Sequence, residues 1–209
     1  MEQKSLTVLS VRRIRGRAVL TLSDGSVLQM PRAMLKERPY RSGMPFDKLA
    51  FFTFLRDRSY PFAMEKAVSL LAMRSRTEKE LRDGLAQNAY PEGIIERVIT
   101  RMGEAGYIDD ASFAAQWTLA RSGKGMGTRR IAMELRQKGV SQETIETTLS
   151  SLEEDSITES ALTAARRAAR GKDLSSRADR QKIIAALARR GFDYQQARHA
   201  IASLQDEGD

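Results

Sequence analysis

Apolar and polar positions change their period along the chain, and the change divides it. Near the start, Leu6, Val8 and Val11 open an apolar-rich run, then Val19-Leu20-Thr21-Leu22 and Val27-Leu28-Gln29-Met30 flank Ser23-Asp24-Gly25-Ser26. Asp-Gly between two such runs is the strongest short hairpin signal, because glycine takes a positive φ without steric cost. This first stretch is therefore expected to be β, with Arg15-Gly16-Arg17 as a second turn. After Pro31 the pattern becomes helix-like at Met34 and Leu35, breaks at Ser42-Gly43, and resumes with Leu49, Phe51, Phe52, Phe54 and Leu55. Pro61 reads as the next boundary, since proline inside a helix removes a hydrogen bond and crowds the preceding turn.

From about residue 62 onward the period is helical, and an internal repeat emerges when three turns are superposed. They are Leu85-Ala86-Gln87-Asn88-Ala89-Tyr90, Leu135-Arg136-Gln137-Lys138-Gly139-Val140 and Leu187-Ala188-Arg189-Arg190-Gly191-Phe192, spaced by 50 and 52 residues. Four residues before each leucine stands Leu81, Ile131 or Ile183. Downstream the equivalent positions hold Ile95, Ile145 and Ala197, then Ile99, Leu149 and Ile201, then Met102, Leu152 and Leu204. Steps of three and four put each set on one face of a helix.

Helix punctuation keeps the same register. Thr77 with Glu80 three residues on is a capping-box signal, and Ser141 and Asp193 take the N-cap place in the later copies. Gly139 and Gly191 end the preceding helix, where a left-handed residue is needed, and Ala89 holds that place in the first copy, so a less regular turn is expected there. A further helix precedes each pair, at roughly 62–75, 111–122 and 159–171. The expected architecture is mainly α: an N-terminal β-hairpin and helix segment over 1–61, then three-helix repeats over 62–109, 110–155 and 156–209 in an elongated curved array. A unit of about 50 residues buries little surface alone, so stacking on neighbours is expected to stabilise it.

Composition narrows the chemistry. With no Cys and one His among 209 residues, disulfide frameworks, cysteine-built metal sites and thiol catalysis are excluded, and a multi-histidine metal centre cannot be built. No metal or cofactor is expected. No run approaches the roughly 20 apolar residues that span a bilayer, and the N-terminus carries no signal-peptide core, so a soluble cytoplasmic protein without a membrane partner is expected. The net charge of +8 favours a polyanionic partner. Residues 1–60 hold 12 basic and 5 acidic side chains and residues 157–209 hold 10 and 7, whereas 61–110 hold 7 and 9 and 111–156 hold 6 of each.

Catalytic signals are sparse. Asp109-Asp110 is an adjacent carboxylate pair, but Asp110 stands where the cap of the next helix belongs, and His199 reads as a surface residue. In Gly123-Lys124-Gly125-Met126-Gly127-Thr128 the lysine is followed by glycine, and Thr118 stands where a nucleotide-binding loop needs its first glycine. Two readings of this run stay open: a flexible connector, or a loop feeding backbone N–H groups at a helix start toward a phosphate. Trp117 shares a face with Phe113 and Ala114 and reads as core, and with 6% aromatic residues any nucleic-acid contact is expected to be to phosphates rather than stacked bases.

The basic residues recur at one place. Arg82, then Arg129, Arg130, Arg136 and Lys138, then Arg180, Lys182, Arg189 and Arg190 lie on the second helix of a repeat or at its end, away from the aliphatic stripe. Arg166, Arg167, Arg170 and Lys172 close the first helix of the third repeat. A solvated face explains each singly; their recurrence suits a ridge that binds polyanion phosphates, with Arg12, Arg13, Arg15 and Arg17 as a second basic segment.

Four motifs, in order and spacing, resemble the RecX regulatory proteins: Arg74-Ser75-Arg76-Thr77-Glu78-Lys79-Glu80-Leu81; Gly106-Tyr107-Ile108-Asp109-Asp110 leading to Phe113; Gly125-Met126-Gly127-Thr128-Arg129-Arg130-Ile131; and the Leu135–Val140 turn. The resemblance covers about residues 62–205, and the N-terminal hairpin with Gly43 and the Leu49–Phe52 group is similar to the leader of longer members. It departs at Ala89, where glycine is usual, and at Met126, where proline is frequent. The resemblance implies a non-enzymatic monomer that binds the RecA recombinase and its filament on single-stranded DNA, suppressing ATP hydrolysis, coprotease activity and strand exchange. The alternative is a DNA-binding protein that acts without RecA. An extended array suits a helical groove, since modest contacts to successive protomers add.

Overall fold

The structure, a computed structural model, describes residues 6–207. Three strands, β1 (Leu6–Ile14), β2 (Arg17–Leu22) and β3 (Val27–Pro31), form an antiparallel meander, and a two-residue strand β4 (Pro45–Phe46) adds to the other side of β1, giving the order β3-β2-β1-β4. Both expected turns form. At Asp24-Gly25 the Asp24 carboxylate accepts from Ser26 N at 3.0 Å and pairs with Lys48 Nζ at 2.7 Å. Lys48 and the two Ser26 donors hold the Asp24 carboxyl far below the usual carboxylate range. A short 3₁₀ turn follows at Arg32–Lys36.

Helix α1 (Lys48–Met73) runs straight through Pro61, which corrects the boundary read there. Its first half buries Phe51 and Leu55 against Leu20, Leu22, Met30 and Met34 of the sheet region. Its second half buries Ala63 and Ala67 against the helices that follow. Proline in a helix interior costs about 3 kcal/mol in isolation, but Pro61 is exposed and the helix is held by one core on each side of it. The first helix of repeat 1 is therefore the far half of a helix shared with the sheet. Repeat 1 is completed by α2 (Glu78–Ala86) and α3 (Glu92–Glu104).

Repeat 2 consists of α4 (Asp110–Ser122), α5 (Thr128–Gln137) and α6 (Gln142–Ser150); repeat 3 of α7 (Glu154–Ala169), α8 (Arg177–Arg189) and α9 (Tyr194–Asp206). The chain divides into two compact units between Asp109 and Asp110, the first holding the sheet and repeat 1, the second repeats 2 and 3. No helix is long and apolar enough to cross a membrane among the described residues.

The repeat register holds at the central core positions. Leu81, Ile131 and Ile183 are fully buried, as are Leu85, Leu135 and Leu187. Each such side chain contributes about 1.5–3 kcal/mol by leaving water. The turn after each second helix is one motif: the N–H of Tyr90, Val140 or Phe192 donates to the carbonyl of Leu85, Leu135 or Leu187 at 3.4, 3.1 and 3.2 Å. This is the Schellman arrangement, with a left-handed residue before the donor and an apolar contact closing it. Gly139 and Gly191 have φ +88° and +92°, and Ala89 adopts the same conformation at +62°. Ser141 and Asp193 cap α6 and α9 as expected, and Thr77 accepts from Glu80 N at the start of α2. Asp110 is the first residue of α4, its carboxylate in the positive first turn.

Candidate nucleic-acid interface

The Gly123–Thr128 run is neither a free loop nor a phosphate cradle. Gly127 N donates to Arg190 O at 2.9 Å and Arg129 N to Gly191 O at 3.3 Å, so two amides at the start of α5 are taken up by the turn of repeat 3. Side chains close the same joint: Arg190 Nη1 donates to Gly125 O at 3.2 Å, Arg167 Nη1 to Lys124 O at 3.1 Å, and Ser160 Oγ to Ser122 O at 2.9 Å. The approach is so close that a Cβ on Gly127 would sit 2.4 Å from the Gly191 carbonyl carbon, and one on Gly191 2.4 Å from Arg130 N. Glycine is required here by space, and at Gly191 also by conformation.

Arg167 and Arg190, expected on a polyanion face, are thus devoted to holding repeats 2 and 3 together. Other members of the expected ridge are also engaged. Arg180 Nη1 donates to Leu174 O and Ser175 O at 2.8 and 2.7 Å, pinning the loop before α8. Lys172 bonds Ala168 O, and Lys182 pairs with Asp179 at 2.8 Å, holding that carboxyl below its ordinary range. Arg166 pairs with Glu207 at 2.7 Å, which raises the guanidinium pKa further.

Repeat 1 corrects the expectation of recurrence. Arg82 is ringed by Glu78, Glu92 and Glu96, with 2.9 and 3.2 Å contacts to the first two. The bonds to Glu96 and Glu78 push its pKa up, and Glu96 is held below the usual carboxylate range. Its charge is spent locally, leaving no positive ridge on α2.

Repeat 2 differs. Arg129 is exposed, and its guanidinium makes no ion pair or hydrogen bond among the described residues. Arg130 lies 3.4 Å from Glu134, and Arg136 Nε donates to the neutral Gln142 at 2.9 Å. Arg129 and Arg136 share an open groove of about 570 Å³ with Gln142 and Glu146, between α5 and α6. On α4, Trp117 stacks on Phe113 with ring centroids 5.7 Å apart and lies beneath Arg121 and Lys138, 4.3 and 4.2 Å from its centroid. Its indole N–H donates to Glu134 at 3.0 Å, and Glu134 also pairs with Arg121 at 2.8 Å. Trp117 is half-buried and packs against the core of repeat 2, the face its pattern predicts, with a polar and cationic side left over. In repeat 3, Arg170 and Arg189 are exposed without side-chain partners among the described residues.

Of the twelve expected site residues, the structure leaves Arg129, Arg170 and Arg189 open, holds Arg130 and Arg136 by single side-chain contacts, lays Lys138 over the indole, and ties the other six to carbonyls or carboxylates. Sequence reasoning missed Arg177, Tyr194 and Arg198, which line a groove between α8 and α9. The signal was present: Arg177, Arg180, Gln181 and Ile184 recur at helical spacing, as do Tyr194, Arg198 and Ile201. No cluster of three or more His, Asp or Glu side chains able to hold a metal is found among the described residues.

The three repeats match, in order, the descriptions "RecX, first three-helix domain" over residues 63–102, "RecX, second three-helix domain" over 109–149 and "RecX, third three-helix domain" over 154–201. Curated relatives named regulatory protein RecX include one from Mycobacterium marinum, 38% identical over 144 residues, covering 67% of this chain and 83% of the relative. Another, from Thermobifida fusca, is 36% identical over 137 residues, covering 64% and 73%. A RecX crystal structure superposes on 92% of this chain and 97% of its own with a TM-score of 0.62 at 20% identity. RecX from Lactobacillus salivarius covers 70% of this chain and 97% of its own with a TM-score of 0.64 at 24% identity. At those identities the crystal structures show the shared fold, and the sequence matches carry the kinship. The chain belongs to the RecX family of regulatory proteins.

Proposed function

We infer that this chain is a negative modulator of the RecA recombinase in the bacterial cytoplasm, engaging RecA and the filament that RecA forms on single-stranded DNA. In this reading it acts by binding rather than catalysis, as a monomer, and lowers ATP hydrolysis, coprotease activity and strand exchange. The observation that carries the reading is the ordered match of all three repeats to the three RecX domains. The exposed guanidinium of Arg129 and the groove it shares with Arg136 support a phosphate-directed contact in the middle repeat. The division expected at 61/62 falls inside α1, which continues from the leader into repeat 1, and that expected at 155/156 falls in the first turn of α7, whereas 109/110 lies at the start of α4.

The test is single-strand-dependent ATP hydrolysis by the cognate RecA, titrated with this protein. The rate should fall toward a plateau at near-stoichiometric protein, and an unchanged rate at saturation sinks the reading. DNA binding of equal strength with and without RecA, and no effect on ATP hydrolysis, would instead establish the independent DNA-binding alternative.

A further inference from the structure

Helices α8 and α9 enclose a groove of about 470 Å³ that belongs wholly to repeat 3. Arg177, Arg180 and Gln181 line it from α8, and Tyr194, Arg198 and Gln205 from α9. Ile184 and Ile201 supply an apolar patch, and none of the lining side chains is acidic. Two of these residues are fixed by the fold. Arg180 is held through Nη1 by the carbonyls of Leu174 and Ser175, and Gln205 Nε2 donates to Leu174 O at 3.2 Å. The others are available. Among the described residues neither Arg177 nor Arg198 meets a carboxylate, and Tyr194 is 61% exposed with the Arg198 guanidinium 5.8 Å from its ring centroid.

An exposed aromatic ring, unneutralised guanidiniums on both walls, amide side chains and no acid form a combination suited to one ligand chemistry. Guanidiniums bond phosphate oxygens, a phenol ring stacks on a base of any identity, and amides accept and donate at base edges. We propose that this groove holds a nucleotide of a single strand, with the base stacked on Tyr194 and its flanking phosphates on Arg177 and Arg198. This rests on the reading that the chain meets single-stranded nucleic acid, and it adds a stacked base where composition suggested phosphate contacts alone. Because stacking is insensitive to base identity, the site binds without sequence preference.

The experiment measures binding of a labelled oligothymidylate by the full chain in the absence of RecA, alongside an oligonucleotide of equal length carrying abasic sites. Tyr194→Ala should weaken oligothymidylate binding about tenfold, within the range of one stacked base, and leave the salt dependence unchanged, whereas Tyr194→Phe should keep wild-type affinity. Wild-type protein should lose a similar factor on the abasic strand, with no further loss for Tyr194→Ala. Replacing Arg177 and Arg198 with Ala should flatten the slope of log K against log salt by about 1.4, at about 0.7 per phosphate contact. All three side chains lie outside the core of repeat 3, so thermal midpoints should stay at the wild-type value and certify the fold. Wild-type affinity in Tyr194→Ala, equal binding of the abasic strand, or no oligothymidylate binding by the wild type each overturns the site. If the wild type still lowers RecA ATP hydrolysis while any of these holds, the groove fails and the regulatory reading survives. Binding as proposed without an effect on RecA would establish the groove and overturn the regulatory reading.

Discussion

Repeat 1 and the two later repeats build the same turn from different residues, and they give the arginines of the middle helix different work. Ala89 holds the left-handed position with φ +62°, where Gly139 and Gly191 hold it at +88° and +92°. An L-residue with a Cβ pays about 1–2 kcal/mol there, so the Leu85–Tyr90 contact and the hydrogen bond across the turn must hold it in place. Tyr90 adds an anchor absent from the other copies, since its hydroxyl donates to Phe62 O at 3.0 Å, where Val140 and Phe192 have no polar atom to offer. On the middle helix, Arg82 is enclosed by three glutamates, while Arg129 stands open and Arg190 reaches across to the neighbouring repeat. A repeat can keep its backbone motif unchanged while its side chains are reassigned from solvent to cage to joint.

The largest effect should come from breaking the turn that joins repeat 3 to repeat 2. Gly191→Ala imposes the left-handed cost and drives a methyl group into the Arg130 backbone, so urea unfolding should show a loss of about 2–5 kcal/mol. Ordinary stability in this variant would mean that the close approach of Gly127 and Gly191 is dispensable.

Tyr90 sharpens the comparison through pH. Burial pushes its hydroxyl up to about 12 from an ordinary value of 10. The folded chain therefore keeps its proton where the unfolded chain has lost it, and stability is fully present below pH 10 and declines as pH rises toward 12. The expected decline from this group is about 2 kcal/mol, and Tyr90→Phe should remove it from the alkaline unfolding curve. Val140 and Phe192 leave the later turns without any such dependence.

A smaller effect is expected from the open arginines. Arg129→Ala combined with Arg130→Ala should weaken binding to single-stranded DNA or to the RecA filament about tenfold at low salt, and flatten the salt slope by about 1.4. Helix content should hold, because both side chains are exposed beside the buried Ile131. Arg82→Ala in repeat 1 should leave affinity unchanged, and a loss equal to that of the double variant would restore the recurring ridge. The smallest effect should be Ala89→Gly, a gain of about 0.5–1 kcal/mol as relief of strain outweighs the added entropy of the unfolded chain.

The repeat was legible because its signals are local. Leu81 and Leu85 recur one turn apart, Thr77, Ser141 and Asp193 act on donors three residues away, and the left-handed glycines follow at fixed distance. What was hidden depends on distant parts of the chain. Arg167 and Arg190 look like any solvated arginine until the carbonyls of Lys124 and Gly125, 43 and 65 residues away, come to meet them. Pro61 looks like a stop because its local cost is visible and the two cores that hold α1 together are not. Arg82 looks like a polyanion ligand because Glu92 and Glu96 lie on the next helix. Strand β4 is two residues long, too short for alternation to show. Tyr194 is hidden by composition, since a low number of aromatic residues says nothing of where one stands, and its place beside Arg198 on one helical face is the informative quantity.

Trp117 is the chain's single tryptophan, and it lies beneath two cations. Indole emission is sensitive to the field across the ring, so tryptophan fluorescence from this protein has one source, and that source lies in repeat 2 against Arg121 and Lys138. An anion that draws the Lys138 ammonium off the ring changes the charge on one side of the indole, and the colour of the emitted light changes with it. The middle repeat thus carries its own optical probe, which would report an anion arriving at Lys138 without an attached dye.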